Sequence, residues 1–171
     1  MSARRARRRL GPPGRGGISA IATIEEAIHL NASLAEAWDH YFDPSGWGAW
    51  VDGFQGPVAA EGYPHAGGTL RWRSIPAGRG EVTERVLAHE ARRRHAIAFA
   101  DPTMEGELET RFAIEGDGTR VTQRLDYRPL DRGPIARVGA VLFVKGQVRA
   151  SMRRSLLAFR RAVEEAAALP A

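Results

Sequence analysis

The sequence predicts an α+β domain: seven strands in one antiparallel sheet against a single long C-terminal helix, with two short helices between the first and second strands. Three observations carry this. Apolar residues recur at every second position in seven short stretches between residues 24 and 128, the spacing of half-buried strands. A helix-start signal at Ser33 interrupts the strands once, and from residue 134 the apolar spacing changes to three and four.

Ile24, Ile28 and Leu30 mark the first strand, which runs into Ser33. The Ser33 hydroxyl is placed to accept from the first helical amides while Glu36 reaches back, as in a capping box. Leu34 and Trp38 fall one turn apart on one face, followed by Tyr41 and Phe42, until Asp43-Pro44 stops this helix and opens a second, tryptophan-rich one. The other strands are expected at 54–61, 67–76, 80–89, 95–100, 104–115 and 119–128. Glu115-Gly116-Asp117-Gly118 joins the last two strands with the Asp-Gly signature of a tight hairpin, and 76–78 and Asp101-Pro102 mark further turns. Strands joined by connections this short are antiparallel.

Val141, Val144, Val148, Met152, Leu156, Phe159 and Val163 then form one helical stripe, with Arg149, Arg153, Arg154, Arg160 and Arg161 mostly on the remaining face. At about 1.5 Å per residue a helix over 134–167 reaches roughly 50 Å, so a bend or fraying near Gly139 or Gly146 is expected. Pro134 suits its first turn and Pro170 lies just beyond its end.

At 171 residues and 43% hydrophobic content, the chain suits one domain with a full core. No apolar run approaches the roughly 18–20 residues of a membrane span, so a soluble, cytoplasmic protein is expected. With no cysteine, disulfides, thiol nucleophiles and thiolate metal sites are excluded. Arginine far outnumbers lysine, a usage expected of a GC-rich bacterial genome. The net charge of +5 belongs to one end: six arginines lie in the first 17 residues, and without them nineteen basic groups face twenty acidic ones. Residues 1–17, rich in Arg, Gly and Pro, are expected to be a disordered tail, and 18–169 a single domain. No apolar stretch follows those arginines, so an export signal is not expected.

The strands have a wet and a dry side. Met104, Leu108, Phe112 and Ile114 share one face and Glu105, Glu107, Glu109 and Arg111 the other, and a Glu109–Arg124 pair is expected across the next strand on the wet side. Val121, Gln123, Leu125 and Tyr127 continue the dry side, with Gln123 its polar exception, and Trp72, His95 and Phe99 join it from earlier strands. A curved sheet with these sides inward leaves a concave surface for the long helix to close. Two readings stay open from the residues alone: a solid core, or a pocket of roughly 300–1,000 Å³ with an apolar wall and few polar groups.

The stretch from Ala32 to Trp50, with its apolar strand end, its Trp38-Asp39 helix, and the Asp43 to Trp50 spacing followed into a Trp-containing turn, resembles the polyketide cyclase/dehydrase branch of the START-like (SRPBCC, helix-grip) superfamily. The order of later elements fits over roughly residues 19 to 168, and Trp47 is an extra indole beside Trp50. The resemblance implies a helix-grip fold and an apolar ligand between sheet and helix. Trp50, Trp72, Val86, Phe99, Leu108, Thr110, Phe112, Gln123, Tyr127, Val144, Val148 and Met152 are then the expected ligand-binding residues.

Catalytic signatures are mostly missing. The chain has no nucleophile elbow, no phosphate-binding glycine loop and no histidine pair at metal-ligand spacing, so neither metal nor cofactor is expected. His95, Glu84 and Tyr127 are the acid/base candidates, because their strands place them inward and His95 ordinarily titrates near neutrality. Two functions lead, binding of a lipophilic molecule of polyketide, isoprenoid, quinone or fatty acyl type, or a cyclase/dehydratase using one of those three groups; a third reading is an interaction module that uses the Arg-rich helix face or tail to bind a protein or RNA. A homodimer is compatible with the sequence, and nucleic acid is not an expected partner.

Overall fold

The computed structural model describes residues 22–75, 78–130 and 137–168, with side chains from residue 145 onward in the last segment. The tail 1–17, Pro134, Pro170 and the side chains of Val141 and Val144 lie outside the described residues.

Alternating side chains build strands β1 (Ala22–Leu30), β2 (Phe54–Glu61), β3 (Thr69–Ser74), β4 (Glu81–Glu90), β5 (Arg94–Ala100), β6 (Met104–Glu115) and β7 (Gly118–Pro129). They form one antiparallel sheet in the order β1-β7-β6-β5-β4-β3-β2. The first strand therefore crosses to pair with the last, Ile24 opposite Leu125 and Ile28 opposite Val121. Between β1 and β2 lie helices α1 (Leu34–Tyr41) and α2 (Trp47–Trp50), and α3 (Arg137–Ala167) ends the fold. The expected capping box is present: Glu36 N donates to Ser33 Oγ (3.2 Å) and Ser33 N to Glu36 Oε2 (2.8 Å). Beyond the helix end, Asp43 Oδ1 accepts from the amide and hydroxyl of Ser45.

Three local expectations give way to the structure. The β6–β7 turn is made by Glu115-Gly116-Asp117-Gly118 as expected, Glu115 standing opposite Gly118, but its central pair is Gly116-Asp117 and not Asp-Gly, with the left-handed residue at Gly116, φ 63°. Ile114 follows the dry-side alternation of β6 yet is 74% exposed, because the hairpin tip projects past the core. Glu109 does stand opposite Arg124, but its carboxylate binds Arg94 (2.5 Å) and Arg111 (2.6 Å) while Arg124 binds Asp126 (2.9 Å). Two reaches along a strand and a diagonal one from β5 win over the directly opposed pair.

Curvature has identifiable sources. A Cβ at Gly106, in the middle of β6, would collide with the Asp126 carbonyl and come within 2.8 Å of Tyr127 Cα, so β7 folds tightly over β6 only because no side chain stands there. In β4 the register shifts between Val86 and Ala88. Leu87 is bulged outward, 39% exposed, and the parity of the strand reverses: Val82, Glu84 and Val86 point inward before it, and His89 points inward after it, opposite His95.

The core lies between the concave face and the helices. Leu156, Phe159 and Val163 of α3 are buried, and Val148 and Met152 are partly buried against the same cluster. Phe159 sits at its centre, with ring centroids 4.9 Å from Trp50, 5.7 Å from Tyr41 and 5.9 Å from His40. The arginine face of α3 is tied down at two places, Arg149 to Glu26 of β1 (3.1 Å) and Arg154 to Asp52 (2.7 Å). No helix among the described residues is long and apolar enough to cross a membrane.

Candidate functional site

Sheet and helix do not meet everywhere. Between them is a cavity of about 150 Å³, smaller than the sequence-based expectation, because large aromatic side chains occupy much of the concave space. Tyr41 of α1, Trp47 and Trp50 of α2, Phe54 of β2, Tyr63 of the following turn and Trp72 of β3 line it, with Met152, Ser151 and Ser155 from α3. The rings are fixed by one another at centroid separations of 5.1 Å (Tyr41–Trp50), 5.8 Å (Trp47–Tyr63) and 5.5 Å (Phe54–Trp72). Trp47 Nε1 also donates to the Tyr41 carbonyl (2.8 Å), pinning α2 to the end of α1.

A few polar groups interrupt this wall. Tyr41 and Thr110 share a hydrogen bond between hydroxyls (2.9 Å), and Gln123 Nε2 donates to both oxygens at 3.4 and 3.5 Å. Gln123, the polar exception on the dry side, is thus a buried donor to a phenol whose pKa burial pushes up to about 12. Glu84 of β4 faces the same cavity, where Trp72 Nε1 donates to its Oε1 (2.7 Å). Loss of hydration raises the Glu84 pKa; the Trp72 bond and the positive charge of Arg79 offset this only in part. Arg79 is itself engaged: its Nε donates to Asp101 Oδ2 (2.7 Å), and its guanidinium lies 4.9 Å from the Phe99 ring centroid and 5.7 Å from that of Trp72.

His95 also lines the cavity and is 3% exposed. Its Nδ1 shares a hydrogen bond with His89 Nδ1 (3.2 Å), while Phe42 and Tyr63 pack edge-on against the ring, 4.8 and 5.7 Å between centroids. Burial, helped by the neighbouring His89, lowers its pKa to about 4, so the imidazole is neutral at physiological pH. At the α3 side, Asp52 accepts from Ser151 Oγ (2.6 Å) and Arg154 Nη2 (2.7 Å), and its amide donates to Ser155 Oγ (3.0 Å). The Arg154 bond holds the Asp52 carboxyl below the usual range. One carboxylate thus latches the turn after α2 to α3 beside the cavity.

Of the expected ligand-binding residues, Trp50, Trp72, Leu108, Thr110, Gln123 and Met152 line the cavity. Val86, Phe99, Phe112 and Tyr127 are buried in packed regions away from it, Val148 is partly buried along α3, and the Val144 side chain lies outside the described residues. Among the acid/base candidates, Glu84 and His95 reach the cavity and Tyr127 does not; its hydroxyl is buried without a partner among the described residues, and desolvation raises its pKa. Trp47, which the sequence alone leaves between lining the pocket mouth and stapling the short helix, lines the cavity; sequence reasoning missed Tyr41, Tyr63, Asp52 and Arg79 as wall residues. Tyr41 already stood on the predicted helix face with Trp38, whereas Asp52, Tyr63 and Arg79 lie in connections whose periodicity carries no signal.

Residues 22–164 match the protein family described as polyketide cyclase/dehydrase and lipid transport. Solved structures share the fold. A protein of Thermus thermophilus superposes with a TM-score of 0.68 at 19% identity, covering 86% of this chain and 100% of its own. One from Rhodobacter sphaeroides gives 0.62 at 24% identity over 91% and 97% of the two chains. The Aha1 dimer of Colwellia psychrerythraea gives 0.61 at 14% identity over 84% and 97%. No curated protein matches the chain in sequence.

Proposed function

The chain belongs to the polyketide cyclase/dehydrase and lipid transport family, and from that premise we propose that it binds a lipophilic small molecule in the cavity between the concave sheet and α3. One observation carries the reading: an aromatic-walled void faced by a half-buried carboxyl, Glu84, held by Trp72 Nε1 alone among the described residues, where a protein built only for stability would close the gap with side chains. Apolar ligand surface is favoured there by roughly 25 cal/mol per Å² removed from water, and the few polar groups set orientation.

Native mass spectrometry of freshly purified protein is expected to reveal a co-purifying lipophilic mass that organic extraction removes. The stripped protein is expected to regain melting temperature on adding lipophilic compounds, because a ligand at 100 times its Kd stabilises by about 2.7 kcal/mol. An empty protein with no melting shift across polyketide, isoprenoid, quinone and fatty acyl panels would overturn the proposal.

A catalytic version, a cyclase or dehydratase, is supported by one further observation. A neutral imidazole, His95, and a carboxyl of raised pKa, Glu84, line the same cavity, the pairing of environments that acid/base chemistry on an enolisable chain requires. Loss of turnover in His95→Ala or Glu84→Ala with ligand affinity retained would establish it, and equal affinity with no turnover in the unaltered protein would leave the carrier.

A further inference from the structure

We infer that the ligand portion seated beside Glu84 is a single aromatic ring bearing a neutral oxygen acceptor, such as an aryl ketone, and that Glu84 donates the hydrogen bond that selects it. The inference rests on the cavity reading proposed above and narrows it to one chemical class. Size comes first: at about 150 Å³ the void is half the lower bound of pockets for drug-sized ligands and suits one ring, not a folded polyketide or an acyl chain. Shape comes next, since the tryptophan, tyrosine and phenylalanine faces around it favour stacked and edge-on contacts with a planar guest.

Charge then excludes the ionic alternatives. Arg79 is matched by Asp101 and Asp52 by Arg154, so a carboxylate guest finds no unspent cation there, and Glu84, which has no ion-pair partner among the described residues, is the one group an ammonium could seek. Glu84 is left, with one oxygen held by Trp72 Nε1 and the second without a hydrogen-bond partner among the described residues. With aromatic rings around it and no cation paired to it among the described residues, this carboxyl is pushed toward its neutral form, in which the second oxygen carries a proton and becomes a donor and an ammonium guest has no counter-charge. The geometry also fixes what substitution does. In Glu84→Gln the amide oxygen keeps the Trp72 bond and the NH2 turns to the cavity, preserving a donor; Glu84→Leu removes it.

The test uses the full chain and a matched pair of guests, acetophenone and ethylbenzene, which share size and differ in the oxygen, with benzylamine in its protonated form and palmitate as contrasts. Affinities are read from quenching of the cavity tryptophans and confirmed by calorimetry. Acetophenone is expected to bind about fivefold more tightly than ethylbenzene, with the preference kept in Glu84→Gln and reduced to near onefold in Glu84→Leu. Unperturbed circular dichroism and melting of Glu84→Gln guard against reading misfolding as lost recognition. Equal affinity for the matched pair, a preference that survives Glu84→Leu, or tighter binding of the ammonium would each overturn the inference. Tight binding of palmitate without acetophenone would sink the single-ring assignment while leaving the pocket standing, whereas silence from every guest would remove both.

Discussion

His95 shows how one residue ties chemistry to stability. Buried between Phe42, Tyr63 and His89, with His65 packed on the far side of His89, it holds a neutral imidazole down to about pH 4, while in the unfolded chain it takes up its proton near 6.5. The unfolded state therefore binds the extra proton first. The stability contributed by the neutral ring is fully present above about pH 6.5 and falls as pH drops through the window from 6.5 to 4, the loss reaching about 3 kcal/mol at the acid end. Urea midpoints measured across that window are expected to fall steeply in the unaltered protein and distinctly less in His95→Leu; parallel curves would refute the assignment. Asp52 offers a second residue-level test. Asp52→Ala removes the acceptor of the Ser151 and Arg154 bonds and is expected to cost about 1–3 kcal/mol and to speed ligand exchange in stopped-flow release, since the turn after α2 loses its tie to α3.

Among the elements, β4 and β6 decide the shape of the site. Gly106 permits the close passage of β7 over β6, and Gly106→Val is expected to destabilise by more than about 2 kcal/mol in chemical denaturation, because the new side chain meets backbone that cannot move aside. The seven strands, the two short helices and the long terminal helix were all legible from period and capping, since local spacing is set by the same pleat and helical turn that burial later uses. The inward turn of His89 was not. Strict alternation places it outside with Leu87, and only the bulge, one extra residue accommodated against β5, reverses the parity. The four residues of the β6–β7 turn were legible, but its central pair was not: pairing of Glu115 with Gly118 selects Gly116-Asp117.

At the scale of the whole molecule, α3 serves as the wall that makes the concave sheet a cavity. Phe159→Ala is expected to cost about 3–5 kcal/mol in equilibrium unfolding, because the ring joins Tyr41, Trp50 and the α3 stripe and nothing nearby can fill the space. The sequence by itself determined the strand and helix order, the dry and wet faces, the capped turn into α1 and, through the Ala32 to Trp50 stretch, the family. These depend on neighbours within a few positions, whose preferences are written locally. Tertiary structure alone decided that the void is about 150 Å³, that Glu84 meets Trp72 while Tyr127 stays out, and that Asp52 answers to α3. Those outcomes depend on how side chains some 100 positions apart share a fixed volume, as Asp52 and Ser151 do, and close packing settles such competition only once every element is in place.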